Sequence, residues 1–309
     1  MAVTSDDNNA QVVSSVALGA YISGAPWDPA KIDEFSTVVG MDKSPSVVMW
    51  YQDWDHSGTK EFNPKKMNAV VSRGAMPMVT WEPWDHTKGV DQSQYALKTT
   101  VYGKHDRYIR QWARDAKTWG KPFYLRFAHE MNGNWNSWSP GVNDNKVGEY
   151  AAAWKRVHDI FSKEGATNVR WVWSPNVEYN GSTPFANVYP GDAHVHWVGI
   201  DGYNWGTSYP EKAWQELAEV FESSYNKLAT MTNKPMMIAE TASTELGGQK
   251  GPWIEKGLLN AVPSKCPRVE AVIWFHENKE TDWRVNSSQA SLDAYKKIAG
   301  SGLYQGKLP

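Results

Sequence analysis

Eight short apolar runs recur along the 309-residue chain, separated by longer amphipathic stretches. They read VALGAYISG (16–24), SVVMWYQDW (46–54), MPMVTWEPW (76–84), PFYLRFAHE (122–130), NVRWVWSPN (168–176), HWVGIDGYNW (196–205), KPMMIAETAS (234–243) and EAVIWFHEN (270–278). Each is rich in β-branched and aromatic residues, and most lack strict alternation, which is the pattern of strands covered on both faces. Between them the period changes to that of helices. In 105–119, Tyr108, Trp112 and Ala116 recur four apart, and in 147–163, Tyr150, Trp154, Val157 and Phe161 mark one face. The segment 211–231 behaves alike, and Gly120 and Gly165 stand where helix C-caps belong. Strands alternating with helices predict an α/β fold, a single (β/α)8 TIM barrel spanning 1–309, with about residues 1–15 as a poorly structured extension. An open doubly wound sheet competes with it, but no Gly-x-Gly-x-x-Gly follows the first strand. No Pro/Gly/Ser linker divides the chain.

In such barrels chemistry sits at the C-terminal ends of the strands. Here those ends carry Trp81-Glu82-Pro83-Trp84, His129-Glu130, Ser174-Pro175-Asn176, Tyr203-Asn204-Trp205, Glu240-Thr241 and Trp274-Phe275-His276-Glu277, and the strand beginnings hold nothing comparable. Glu130 and Glu240 end the fourth and seventh strands, nearly opposite each other in an eight-stranded ring. Alternation places Arg126 on the face of Glu130, and Met236 and Ile238 on the face of Glu240. A carboxylate at an apolar barrel mouth is costly unless hydrogen-bonded or functional. Two carboxylates in different surroundings meet the needs of glycoside hydrolysis, one protonated as acid and the other ionised as nucleophile. The structural alternative is that each pairs with Arg126, Lys234 or a capping group. Glu82, Asp201 and Glu277 remain competing candidates on pattern alone.

Charge and composition narrow the partners. The net charge of −2 gives no footprint for nucleic acid or anionic lipid, and no apolar run approaches the ~18 residues that span a bilayer. The single cysteine, Cys266, excludes an intramolecular disulfide and a cysteine-based metal site. Trp is the unusual residue: with 18 in the chain, and each buried indole N–H needing an acceptor, some are expected to line a groove. Flat apolar faces with a polar edge suit sugar rings or nucleobases, and the charge balance disfavours nucleobases. The polar start, MAVTSDDNNAQ, lacks a signal-peptide layout and reads as a cytosolic start or as a mature secreted chain given a new initiator Met; secretion is the expectation adopted.

The runs LRFAHEMNGNW, WVWSPN, YPGD, WVGIDGYNW and IAETAS, in this order over nearly the whole chain, resemble glycoside hydrolase family 26. The resemblance implies a retaining endo-glycanase acting as a monomer, without cofactor or metal, on β-mannan, mixed-linkage β-glucan or β-1,3-xylan. It implies Glu130 as general acid/base, Glu240 as nucleophile, His129 at the sugar next to the cleaved bond and Tyr203 hydrogen-bonded to Glu240. Trp135, Trp205 and Trp274 match positions that frame the sugar rings, and Trp81, Glu82 and Arg126 complete the candidate binding set. Family mannanases commonly have His after the Trp that ends strand 3, where this chain has Glu82. That departure points to the lichenase-like branch, which cuts mixed β-1,3-1,4-glucan.

Other signals are weaker. Trp50, Trp112, Trp154 and Trp171 read as core, and Trp27, Trp54, Trp84 and Trp138 as possible outer sugar platforms. LGGQKG (246–251) lies where phosphate-binding barrels place a glycine loop, and it defines a competing phosphate-handling barrel. A catalytically silent carbohydrate-binding barrel is the competing class. DWDHSGTKE (53–61) opens like a calcium loop through Asp53, Asp55 and Gly58, but Pro64 stands where the closing Glu is needed. His56, His86, His105, His158, His194 and His196 form no H-x-x-x-H pair.

Overall fold

The computed structural model describes residues 15–42, 44–54 and 60–308. The expected N-terminal extension therefore falls, through residue 14, outside the described residues. Eight strands close one barrel in chain order: β1 (Ala17–Ile22), β2 (Val47–Asp53), β3 (Met76–Glu82), β4 (Phe123–Phe127), β5 (Val169–Trp173), β6 (Trp197–Asn204), β7 (Met236–Ser243) and β8 (Val269–His276). Every neighbouring pair is parallel, and β8 returns to β1 from Ala17↔Ala271 through Ile22↔His276. This is a (β/α)8 barrel.

The outer layer comprises α1 (Ala30–Val38), α2 (Pro64–Val71), α3 (Leu97–Val101), α4 (Asp106–Trp119), α5 (Glu149–Glu164), α6 (Leu217–Met231), α7 (Lys250–Lys256), α8 (Val262–Lys265) and α9 (Gln289–Ala299). Their ends follow local chemistry. Asn63 caps α2 by accepting from the N–H groups of Lys65 and Lys66, with Pro64 in the first turn. Gly120 and Gly165 terminate α4 and α5 at φ 75° and 76°, the left-handed conformation that glycine adopts without a Cβ clash. Strict alternation fails once. The β5–β6 connection folds as 3-10 turns at Phe185–Asn187 and Asp192–His194.

Two apolar layers follow from the pleat. Val47, Met49, Met78, Tyr124, Val172 and Met237 fill the barrel interior, while alternate strand residues pack outward against the helices. Trp50, Trp112, Trp154 and Trp171 belong to that outer layer, as expected. Inside, a Cβ on Gly19 would stand 2.7 Å from Ile273 and 2.8 Å from Val47, so a larger residue there would overpack the ring by about 1–3 kcal/mol.

Two strands break the pleat where they approach the barrel mouth. Met236 and Ile238 face the helices, whereas Met237 and Ala239 face the interior, which corrects the parity expected for Glu240. The register of β7 slips between Ile238 and Thr241 against β8, and against β6 between Ile200 and Asp201. This irregularity lets Glu240 follow Ala239 inward instead of alternating outward. β4 ends at Phe127, and Ala128 and Glu130 take φ of 47° and 51°. Glu130 is thus delivered by a turn of left-handed residues, not by continuation of the strand. Such non-glycine conformations cost roughly 1–3 kcal/mol each and persist where surrounding contacts hold them. Here the Glu130 N–H donates to the Ser174 carbonyl at 2.7 Å, and the Tyr150 hydroxyl donates to the Ala128 carbonyl at 3.1 Å.

Candidate active site

Glu240 lies at the centre of the barrel mouth and is almost fully buried. Its Oε1 accepts from Arg126 Nη2, and its Oε2 accepts from the Tyr203 hydroxyl at 2.5 Å. Arg126 is itself wholly buried; its Nη1 donates to Asp201 Oδ2 at 2.8 Å and its Nε to Thr80 Oγ1 at 2.9 Å. Burial opposes the charge on Glu240, but the Arg126 guanidinium, His129 and the Tyr203 and Tyr51 hydroxyls outweigh it and hold the carboxyl at about 2. Glu240 is therefore an anion that accepts hydrogen bonds from all sides.

Glu130 has the opposite setting. A carboxylate oxygen from each of Glu130, Asp201 and Glu240 lies within 4.8 Å of the others. Burial and the negative charge of Glu240 push the Glu130 carboxyl up to about 7, although the Trp135 indole and Arg126 pull the other way. Trp135 Nε1 donates to Glu130 Oε2 at 2.7 Å. The loop behind this pair is tied down by amides. Asn132 Nδ2 donates to the Asn176 carbonyl and Asn132 Oδ1 accepts from the Asn176 N–H, both at 2.9 Å. The His129 carbonyl accepts from Trp138 Nε1 at 2.6 Å. Trp135 covers Gly133 so closely that a Cβ there would sit 2.6 Å from the indole.

His129 lies between Glu240 and a third acid, Glu82. Its Nε2 is 4.0 Å from Glu240 Oε1, and its Nδ1 is 3.8 Å from Glu82 Oε1. Burial and the Arg126 charge depress the imidazole to about 3, so it is neutral at working pH. Burial raises Glu82 from 4.5 to about 8. A raised carboxyl pKa means that the folded state holds a proton the unfolded chain has already released. The associated stability is complete below pH 4.5 and is lost as pH rises through about 8. Glu82→Gln is accordingly expected to melt higher than wild type at pH 9 by the equivalent of a few kcal/mol, with the gap narrowing at pH 5. Melting curves at both pH values test this, and an equal gap at each would refute it.

A profile of glycosyl hydrolase family 26 matches residues 54–257. The chain belongs to this family. Endoglucanase H of Acetivibrio thermocellus is 39% identical over 297 residues, covering 94% of this chain and 31% of that protein. A mannan endo-1,4-beta-mannosidase of Bacillus subtilis strain 168 is 29% identical over 180 residues, covering 56% of this chain and 43% of that protein. The chain spans about a third to a half of the length of the curated relatives it matches. Among solved structures, the catalytic domain of a family-26 endo-beta-1,4-mannanase from Bacillus sp. JAMB-750 superposes with a TM-score of 0.70 at 17% identity, covering 94% of this chain and 87% of that one. A family-26 beta-mannanase from Bacteroides ovatus gives 0.67 at 18%, covering 94% and 90%. At these identities the structural likeness speaks for the fold.

Within this family-26 barrel the candidate residues separate into three groups. Glu130, Glu240, His129, Tyr203 and Glu82 converge on one mouth, and Trp135 and Trp205 stand beside it. Trp135 is 39% exposed and faces Tyr179 with ring centroids 5.6 Å apart. Trp205 packs against Tyr209, which is 40% exposed, and against Trp283. Arg126, Trp81 and Trp274 are corrections. Arg126 is sealed beneath Glu240 and Asp201 and presents nothing to a ligand. Trp81 and Trp274 point out of the barrel into the helix layer, where their indoles donate to the Tyr108 hydroxyl and the Trp283 carbonyl. Both occupy the outward parity of their strands, so alternation along MPMVTWEPW and EAVIWFHEN carried the signal. Tyr51, on the inward parity of β2 with Val47 and Met49, was missed for the same reason.

Two further expectations are corrected. Trp54 and Trp138 are buried, not surface platforms, whereas Trp27 is 48% exposed with Lys66 Nζ 4.1 Å above its ring. Lys250 of the glycine cluster is fully buried and donates to the carbonyls of Asp282 and Arg284 and to Ser287 Oγ at 2.7–3.0 Å. An ammonium so occupied is a structural clamp between loops and leaves no donor for phosphate. Asp55, His56 and Gly58 of the failed calcium pattern lie outside the described residues.

Proposed function

We propose that the chain is a retaining β-glycoside hydrolase in which Glu240 is the nucleophile and Glu130 the general acid/base. The observation that carries this is the pair itself: carboxylate oxygens within 4.8 Å, one carboxyl held at about 2 and the other raised to about 7. Retaining enzymes hold their carboxyl groups about 5–5.5 Å apart, whereas inverting enzymes leave about 6.5–9.5 Å for a water. Glu240 attacks the anomeric carbon while Glu130 gives its proton to the departing oxygen, and a covalent glycosyl-enzyme forms. Glu130, now ionised, takes a proton from water, which attacks the same carbon and releases Glu240. Tyr203, Tyr51 and Arg126 keep the nucleophile charged and aimed between the two steps. A barrel that only binds carbohydrate has no use for two carboxyls tuned apart.

The experiment uses Glu130→Ala. Turnover of polysaccharide is expected to fall about 10²–10⁴-fold, the range for loss of an acid/base, while an aryl glycoside with a good leaving group is cleaved in its first step nearly as before. In the wild type, kcat/KM is expected to fall as pH rises through about 7, because Glu130 loses the proton the leaving group needs. Equal losses on activated and unactivated substrates would refute the assignment.

For the substrate, two curated relatives named mannan endo-1,4-beta-mannosidase weigh towards β-1,4-mannan. None of these names is a lichenase. A second reading, β-glucan, is favoured by the 39% identity to a protein named endoglucanase and by Glu82 beside His129. Reducing-sugar release from mannan, barley β-glucan, lichenan and β-1,3-xylan separates the readings. Because such polymers do not cross a bilayer, the proposal includes action outside the cytoplasm.

A further inference from the structure

On the flank of the barrel, away from the carboxylates, two histidines distant in sequence meet one aspartate. His158 and Asp159 belong to α5, and His194 closes the 3-10 turn that leads into β6. Asp159 Oδ1 is 3.4 Å from His158 Nδ1 and 3.7 Å from His194 Nε2. The two imidazoles lie with centroids 4.9 Å apart, crossed at 73°, and one ligand atom from each of the three residues falls within 4.8 Å of the others. We propose that His158, Asp159 and His194 bind one divalent first-row transition ion of the zinc class, which staples α5 to the β5–β6 connection.

Coordination geometry supports the assignment. Metal–nitrogen and metal–oxygen bonds of about 2.0–2.2 Å in a tetrahedron bring ligand atoms to roughly 3.3–3.5 Å of one another. The spacings at Asp159 are already close to that, so small side-chain rotations gather the set. Two imidazoles and one carboxylate suit zinc, copper or nickel, not calcium or magnesium, which take oxygen ligands. Three protein ligands with the aspartate half exposed leave a fourth position to water. Both histidines are held from behind. The Trp171 ring packs against His158 at 5.4 Å, and the His194 carbonyl accepts from Trp154 Nε1 at 3.0 Å. This placement explains why sequence spacing showed no site: the ligands come from two separate segments.

The test uses untagged protein titrated calorimetrically with zinc chloride, and separately with cobalt chloride followed by visible absorption. One equivalent is expected to bind, with the intense d–d band of a tetrahedral cobalt site and a rise in melting temperature that grows with zinc concentration. In His194→Ala, affinity should fall more than about 100-fold, beyond the 10–100-fold typical of losing an outer hydrogen-bond partner. Melting in EDTA confirms that the variant is folded, and Asp159→Asn provides a second, milder loss. Glu240→Gln should bind zinc as wild type does. The proposal is overturned if no equivalent binds, if the His158→Ala/His194→Ala protein binds unchanged, or if Glu240→Gln abolishes binding, which would place the ion on the central carboxylates.

Discussion

Glu240→Ala is expected to lower kcat/KM on the polysaccharide by roughly 10⁴-fold or more, the scale of losing a covalent nucleophile. Nothing else described at the mouth can replace it. Asp201, Glu130 and Glu82 are the acids around it, but Asp201 is bound to Arg126 and Ser174, Glu130 is needed as the proton donor, and burial keeps Glu82 protonated until about pH 8. The loss should be equally severe on activated aryl glycosides, because both steps pass through the Glu240 ester. That separates it from Glu130→Ala, whose first step survives with a good leaving group. Added azide sharpens the distinction. Entering the space left by Glu240 it should give a glycosyl azide of inverted configuration, whereas in Glu130→Ala it should give the retained one. Glu240→Ala protein with more than about one per cent of wild-type activity would remove Glu240 from the mechanism.

Arg126→Met should be the most destabilising of the substitutions at this mouth, at about 3–5 kcal/mol near neutral pH. Arg126 is wholly buried and is the guanidinium between Glu240 and Asp201. Removing it leaves the Glu240 anion buried without its cation and Asp201 without its donor, and Met fills the volume but not the charge. The pH dependence has a defined sign. Because the folded-state pKa of Glu240 is lowered, its contribution is present above the ordinary value of 4.5 and is lost as pH falls towards about 2. The gap between wild type and Arg126→Met should therefore be wide at pH 7 and shrink in acid. With its cation gone, Glu240 also titrates higher, so the acidic limb of kcat/KM moves up. Denaturant midpoints and rate profiles across pH measure both effects. A wild-type midpoint at pH 7 would contradict the role assigned to Arg126.

Much of the architecture is legible in the sequence. The eight apolar runs correspond to the eight strands, and the glycines after α4 and α5 adopt the left-handed caps expected of them. His129, Glu130, Tyr203 and Glu240 stand out in the sequence because strand ends carry chemistry that strand beginnings lack, and the fold brings the four to one mouth. Alternation puts Arg126 on the face of Glu130, but the carboxyl groups of Asp201 on β6 and Glu240 on β7 seal it from a ligand. The family resemblance puts Trp274 among the residues framing the sugar and Trp81 in the binding set, but their strand parity turns both towards the helices.

The sequence by itself determined the barrel, its strand order and the two glutamates, since apolar period and motif are local properties of the chain. Tertiary structure alone decided which tryptophans face the mouth, how a slip in β7 turns Glu240 inward, and why one carboxyl keeps a proton while its neighbour does not. These depend on register, burial and the summed field of Arg126, Asp201 and the tyrosines. Those groups come from β2, β4 and β6 and meet only when the barrel closes.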